Sequence, residues 1–143
     1  MRKIKGLLLI ALLVIVSSVP AKARESFLSQ EIIDLCIKYE AENCIDRYLL
    51  MAFCEIESHG QTDIVSANGQ YIGLMQLNKD YFTGDLTDAE NNISQGSAYL
   101  SELKYKHGIF KAISYYSGEN GKIGYYSKKI IYRWFELEEK NGS

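Results

Sequence analysis

Residues 46–58 read DRYLLMAFCEIES, and residues 61–78 read QTDIVSANGQYIGLMQLN. In the first stretch Leu50, Phe53, Cys54 and Glu57 fall at i, i+3, i+4 and i+7, the positions that share one helix face. Glu57 therefore continues an apolar stripe, where an acid rarely sits without a partner or a task. Glu55 lies two residues away, about 200° around a helix of 3.6 residues per turn, and is predicted on the outward, solvated side. In the second stretch the helical period breaks. Asn68-Gly69 between short apolar runs signals a tight hairpin. An acid-bearing helix thus runs directly into a small β excursion.

Working outward, residues 30–39 (QEIIDLCIKY) carry apolar positions at helical spacing, with Ser29 as their N-cap. Asp46 is placed to cap the second helix, which should reach Ser58 and stop near Gly60. Helical spacing returns through Ile93, Gly96, Leu100 and Leu103, then in a short helix over 110–116. A last helix carries Ile123, Tyr126, Ile130, Trp134 and Leu137 on one face, and the tail EEKNGS is expected to fray. The only proline, Pro20, lies ahead of all these segments, so none is barred from helix on its account. The predicted class is α+β, mostly α, with one small β-hairpin after the acid-bearing helix. No internal repeat or low-complexity linker interrupts it.

Residues 1–23 have a basic start, a long apolar run and a small-x-small ending, Ala21-Lys22-Ala23. They are expected to be a secretory signal peptide cleaved after Ala23, with an uncleaved anchor as the alternative. The remaining 24–143 suit one compact domain. The whole chain has 16 basic and 18 acidic residues; the leader holds Arg2, Lys3, Lys5 and Lys22 and no acid, so the rest carries a net charge of −6 with histidines neutral. Such a balance argues against nucleic acid, whose binding rests on neutralised phosphates, and against anionic lipid. Cys36, Cys44 and Cys54 allow at most one intramolecular disulfide, its pairing open. His59 and His107 stand apart from one another and from the cysteines, so no metal site or cofactor is expected.

A carboxyl on an apolar face is desolvated, which raises its pKa and equips it to give a proton to a leaving oxygen. Glycoside cleavage uses such an acid, usually with a second carboxylate. Here no second carboxylate stands out: Asp63, Asp80, Asp85, Asp88 and Glu90 lie in loop-like sequence and Glu119 in a Gly-rich turn. A helix-end acid paired with a lysine is the plain structural alternative for Glu57.

Four motifs then occur in order: Glu57-Ser58, SANGQYIGLMQLN at 66–78, NISQGSAYL at 92–100 and AISYYSG at 112–118. Together they resemble the catalytic domain of the soluble lytic transglycosylases, a branch of the lysozyme-like superfamily, over about residues 32–132. The resemblance implies a lysozyme-like helical domain and peptidoglycan glycan strands as substrate. Glu57 matches the family's single catalytic acid, and Ser58 the serine that follows it. Met75 and Gln76 match the cleft-lining pair of the GLMQ segment. Asn92 opens the next helix, and Tyr116 matches a tyrosine that reaches toward the acid. For Tyr71 and Tyr115 packing is the favoured reading. Two departures stand out: Ser117 where the family has asparagine, and a first inter-helix link, EAENCID, that reads as long.

The implied reaction is cleavage of the β-1,4 bond between N-acetylmuramic acid and N-acetylglucosamine with a 1,6-anhydro product, Glu57 serving as acid and then base. The rivals are a hydrolysing lysozyme of the same fold and a non-catalytic glycan-binding module. A monomer in the periplasm or extracellular wall space is expected. General wall turnover and service to a secretion, conjugation or phage apparatus both remain open.

Overall fold

The computed structural model describes residues 24–142; the expected leader lies outside them. Five α-helices and one two-stranded sheet follow in the order α1 (Gln30–Asn43), α2 (Arg47–Ser58), β1 (Tyr71–Ile72), β2 (Leu77–Asn78), α3 (Ala89–His107), α4 (Ile109–Tyr116) and α5 (Tyr125–Asn141). The mostly helical α+β class read from the sequence holds. Both caps hold as well: the Ser29 side chain accepts from Ile32 N, and Asp46 accepts from Tyr48 N and Leu49 N. An oxygen so placed satisfies N–H groups that a helix start leaves unpaired.

Three local expectations change. The α1–α2 link is only 44–46, because α1 continues through Asn43 and ends at Cys44 in the left-handed conformation. The tail does not fray at Glu138: α5 runs to Asn141, and Lys140 pairs with Glu25 at 3.3 Å. The Asn68-Gly69 turn brings Val65 opposite Ile72 as an isolated bridge, but the sheet itself closes through Gly73–Gln76, pairing Tyr71 with Asn78 and Ile72 with Leu77.

Helix α2 is the centre of the molecule, packed against α1 and α5. Leu49 to Glu55 are all buried in succession, so this helix has no solvated stripe over that span. The expected outward position of Glu55 is therefore wrong. Its side chain is 3% exposed, and Arg133 of α5 (4% exposed) meets it through Nε at 2.5 Å and Nη2 at 3.2 Å. Ser26 Oγ donates to the same carboxylate at 2.6 Å. Arg133 also donates to the carbonyls of Arg24 and Glu25, both at 3.0 Å, and to Glu136 at 3.1 Å. Residues 24–28 are thereby tied across the back of α2, with Leu28 buried in the core.

Cys36 and Cys54 meet in the α1–α2 interface, both buried, while Cys44 is exposed; all three are free. The contact with Cys36, with burial adding to it, holds the Cys54 thiol well above its usual pKa. Reaction follows thiolate character and access. Alkylation of the native, reduced protein is expected to modify Cys44 alone, with Cys36 and Cys54 reacting only after unfolding. Native mass spectra with three rapid adducts would contradict this packing.

Candidate active site

Glu57 reaches the surface in the last turn of α2, just before the helix ends at His59 and Gly60 in left-handed backbone. It lines a pocket of about 350 Å³ with Tyr71, Gln76, Tyr116, Ser117, Gly118 and Tyr126. Burial alone pushes its pKa up to about 7. Among the described residues lining this pocket Glu57 is the only acid. The pocket continues, through Tyr71, Gln76, Tyr116 and Gly118, into a longer cleft of about 730 Å³ walled by further aromatic rings, among them Tyr81, Phe82, Tyr99 and Tyr115.

The wall opposite α2 is built by one buried amide. Asn92, near the start of α3, accepts from Met75 N at 2.8 Å and donates to the carbonyls of Ile72 and Leu86, each at 2.9 Å. These three bonds fix the 72–76 turn against α3. Gly73 has φ +79°, and a Cβ there would lie 2.2 Å from the Leu86 carbonyl oxygen, so no other residue fits without displacing backbone. Gly96 on α3 leaves room for Met75, whose Sδ would stand 2.5 Å from an added Cβ. Gln76, with φ +48°, donates to the Gly73 carbonyl at 3.0 Å and faces both parts of the cleft.

Tyr116 closes the corner. Its hydroxyl donates to the Met75 carbonyl at 2.9 Å, and its ring lies between Phe53 (centroids 4.6 Å apart) and Tyr99 (5.6 Å). Burial, and then the nearby Glu57 carboxyl, push its phenol pKa well up, so it remains a proton donor. The next residue, Ser117, carries the one buried side-chain oxygen without a hydrogen-bond partner among the described residues.

Of the residues singled out in the sequence, Glu57, Gln76 and Tyr116 converge on the pocket. Ser58, Met75 and Asn92 do not line it. Ser58 Oγ turns back to the Cys54 carbonyl at 2.7 Å, Met75 is core, and Asn92 is the brace just described. Tyr71 and Tyr115, read as packing, instead line the cleft; Tyr71 is 42% exposed. Tyr126 enters the pocket from α5, although the sequence put it on that helix's apolar face.

This geometry agrees with a family comparison. The family model described as the Transglycosylase SLT domain matches residues 34–130. The chain belongs to that family, the lysozyme-like transglycosylases, and membership implies lytic-transglycosylase-family activity on peptidoglycan. A comparison with curated proteins finds no match.

Proposed function

We propose that the protein cleaves the β-1,4 bond between N-acetylmuramic acid and N-acetylglucosamine and leaves a 1,6-anhydromuramic end, with Glu57 as its one catalytic carboxyl. The observation that carries this reading is a half-buried acid, pKa about 7, alone in its pocket. Protonated, Glu57 gives its proton to the departing glycosidic oxygen. The muramoyl 2-acetamido group stabilises the positive anomeric carbon. Glu57, now a carboxylate, takes the proton of the same sugar's C6 hydroxyl as that oxygen bonds to the anomeric carbon. The nucleophile belongs to the bound substrate, so its effective concentration is high and no second carboxylate is needed. The side chains of Gln76, Tyr71 and Tyr126 bring polar groups to the pocket lining beside it. A hydrolysing lysozyme would instead hold a water opposite the acid with a second carboxylate; among the described residues none other than Glu57 lines its pocket, and the acid of the adjoining cleft, Glu102, is paired with Lys106.

Purified peptidoglycan digested with the protein should yield muropeptides one water lighter than their reducing counterparts. Reducing ends alone would mean hydrolysis, and no cleavage would mean a binding module. The place of action follows the substrate: we propose export to the periplasm or wall space. Among the described residues no helix is long and apolar enough to cross a membrane. N-terminal sequencing of exported protein is expected to begin at Arg24; a retained Met1 in the membrane fraction would favour an anchored chain.

A further inference from the structure

The Glu57 pocket opens on one side onto the first turns of α5. Tyr126 lines the pocket, and its ring meets that of Tyr125 edge to face at 5.6 Å. The two tyrosines are 54% and 67% exposed. Lys129 Nζ stands 4.7 Å from the centre of the Tyr125 ring and 6.0 Å from that of Tyr126. Lys128, beside it, is also exposed. Among the described residues neither lysine forms an ion pair, whereas Arg133 and Lys140, farther along the same helix, do.

The acid that serves this corner does not neutralise them. Glu119 accepts from the backbone N–H groups of Gly124, Tyr126 and Ser127 and from the Ser127 hydroxyl. These bonds hold its pKa down, against the effect of its burial, and they cap α5. One uncompensated cation, Lys129, held over a ring pair that includes the pocket residue Tyr126, thus stands beside the pocket in a chain of net charge −2; Lys128 lies about 200° around the helix from Tyr126. An ammonium stacked on aromatic faces keeps its outer N–H donors free for an anion, and the rings offer an apolar shelf for the chain that carries it.

We propose that Tyr125, Tyr126 and Lys129 bind the carboxylate-bearing peptide attached to the muramoyl residue being cut, so that the protein favours peptide-substituted strands over bare glycan. The inference rests on the glycan-cleaving function proposed above, because it places that residue's sugar in the adjoining pocket. The occupant is set by charge complementarity and by continuity: Tyr126 belongs to both surfaces, and a muramoyl sugar beside Glu57 carries its peptide out of the pocket. Exposed charge contacts of this kind are individually modest and salt-sensitive.

Binding separates this inference from the chemistry. Glu57→Gln protein is titrated with soluble glycan strands carrying intact peptides and with the same strands stripped by an amidase. The peptide-bearing strands should bind roughly threefold to fivefold more tightly, the effect of one exposed lysine. The gap should shrink in high salt and close when Lys129→Glu is added. Lys140→Glu, the same charge change about 16 Å farther along the helix, should keep it. Equal binding of both strands, or a gap that survives the Lys129 charge reversal, overturns the peptide site. The sugar ends released by the unsubstituted protein report on the cleavage reaction separately, and binding is read whichever ends appear.

Discussion

Glu57→Gln is expected to fold and to lose nearly all cleavage of peptidoglycan. Positioned proton transfer is commonly worth ~10²–10⁴-fold, and in the reaction proposed above one carboxyl performs it in both directions. An amide keeps the shape and hydrogen-bonding capacity but cannot exchange the proton. The raised pKa adds a pH signature. Acting first as an acid, Glu57 must start protonated, so kcat/KM should be flat below about pH 7 and fall above it. The same pKa affects stability. The native carboxyl titrates near 7, whereas a solvated glutamate titrates near 4.5. Between these pH values the native state retains a proton that the unfolded chain has released, so wild-type stability falls as pH rises through the window. The amide does not titrate. Glu57→Gln should therefore be more stable than wild type at pH 8, by roughly 2–3 kcal/mol, and lose that advantage below about pH 4.5. Thermal melts across this range check the stability curve. A variant that cuts as fast as wild type would remove Glu57 from the chemistry.

Glu55→Ala should do the reverse, unfolding the protein more readily while leaving the reactive carboxyl in place. Removing one partner of a buried ion pair strands the other charge, at a cost of about 3–5 kcal/mol. In a domain of this size that corresponds to a fall of roughly 10–20 °C in Tm. Replacing both Glu55 and Arg133 with methionine should recover most of the loss, because a buried pair and an apolar pair of similar volume are often nearly equivalent. If Glu55→Ala melts within a degree or two of wild type, the Glu55–Arg133 pair does not hold the helix.

The two glutamates show where sequence reading succeeds and where it stops. The spacing of Leu50, Phe53, Cys54 and Glu57 is a local pattern, and it singled out the glutamate that lines the pocket. The caps at Ser29 and Asp46 were equally local. Glu55 was misplaced because a helical wheel assumes that a helix has an outside. Helix α2 is wrapped by α1 and α5, and the cation that makes a buried Glu55 tolerable is 78 residues away. No window along the chain contains that partner.

The family motifs had a different limit. Met75 and Asn92 were legible as motif positions but not by role: they brace the turn that presents Gln76 and receives the Tyr116 hydroxyl. Among eleven tyrosines, Tyr71 was read as packing and Tyr126 as part of the apolar face of the last helix. They became site residues only once the sheet and α5 met around Glu57.

The grip of Arg133 on Arg24 and Glu25 also sets an order of events for a chain delivered from its N-terminus. Its hydrogen bonds to those carbonyls close spans of 109 and 108 residues. Until α5 has emerged, Glu55 has no cation, and a bare carboxylate resists transfer into the core. Residues 24–28 have no anchor for the same reason. The packing that presents Glu57 is therefore completed among the last steps of folding, after nearly the whole polypeptide has been delivered, and a half-delivered chain carries Glu57 without the burial that raises its pKa.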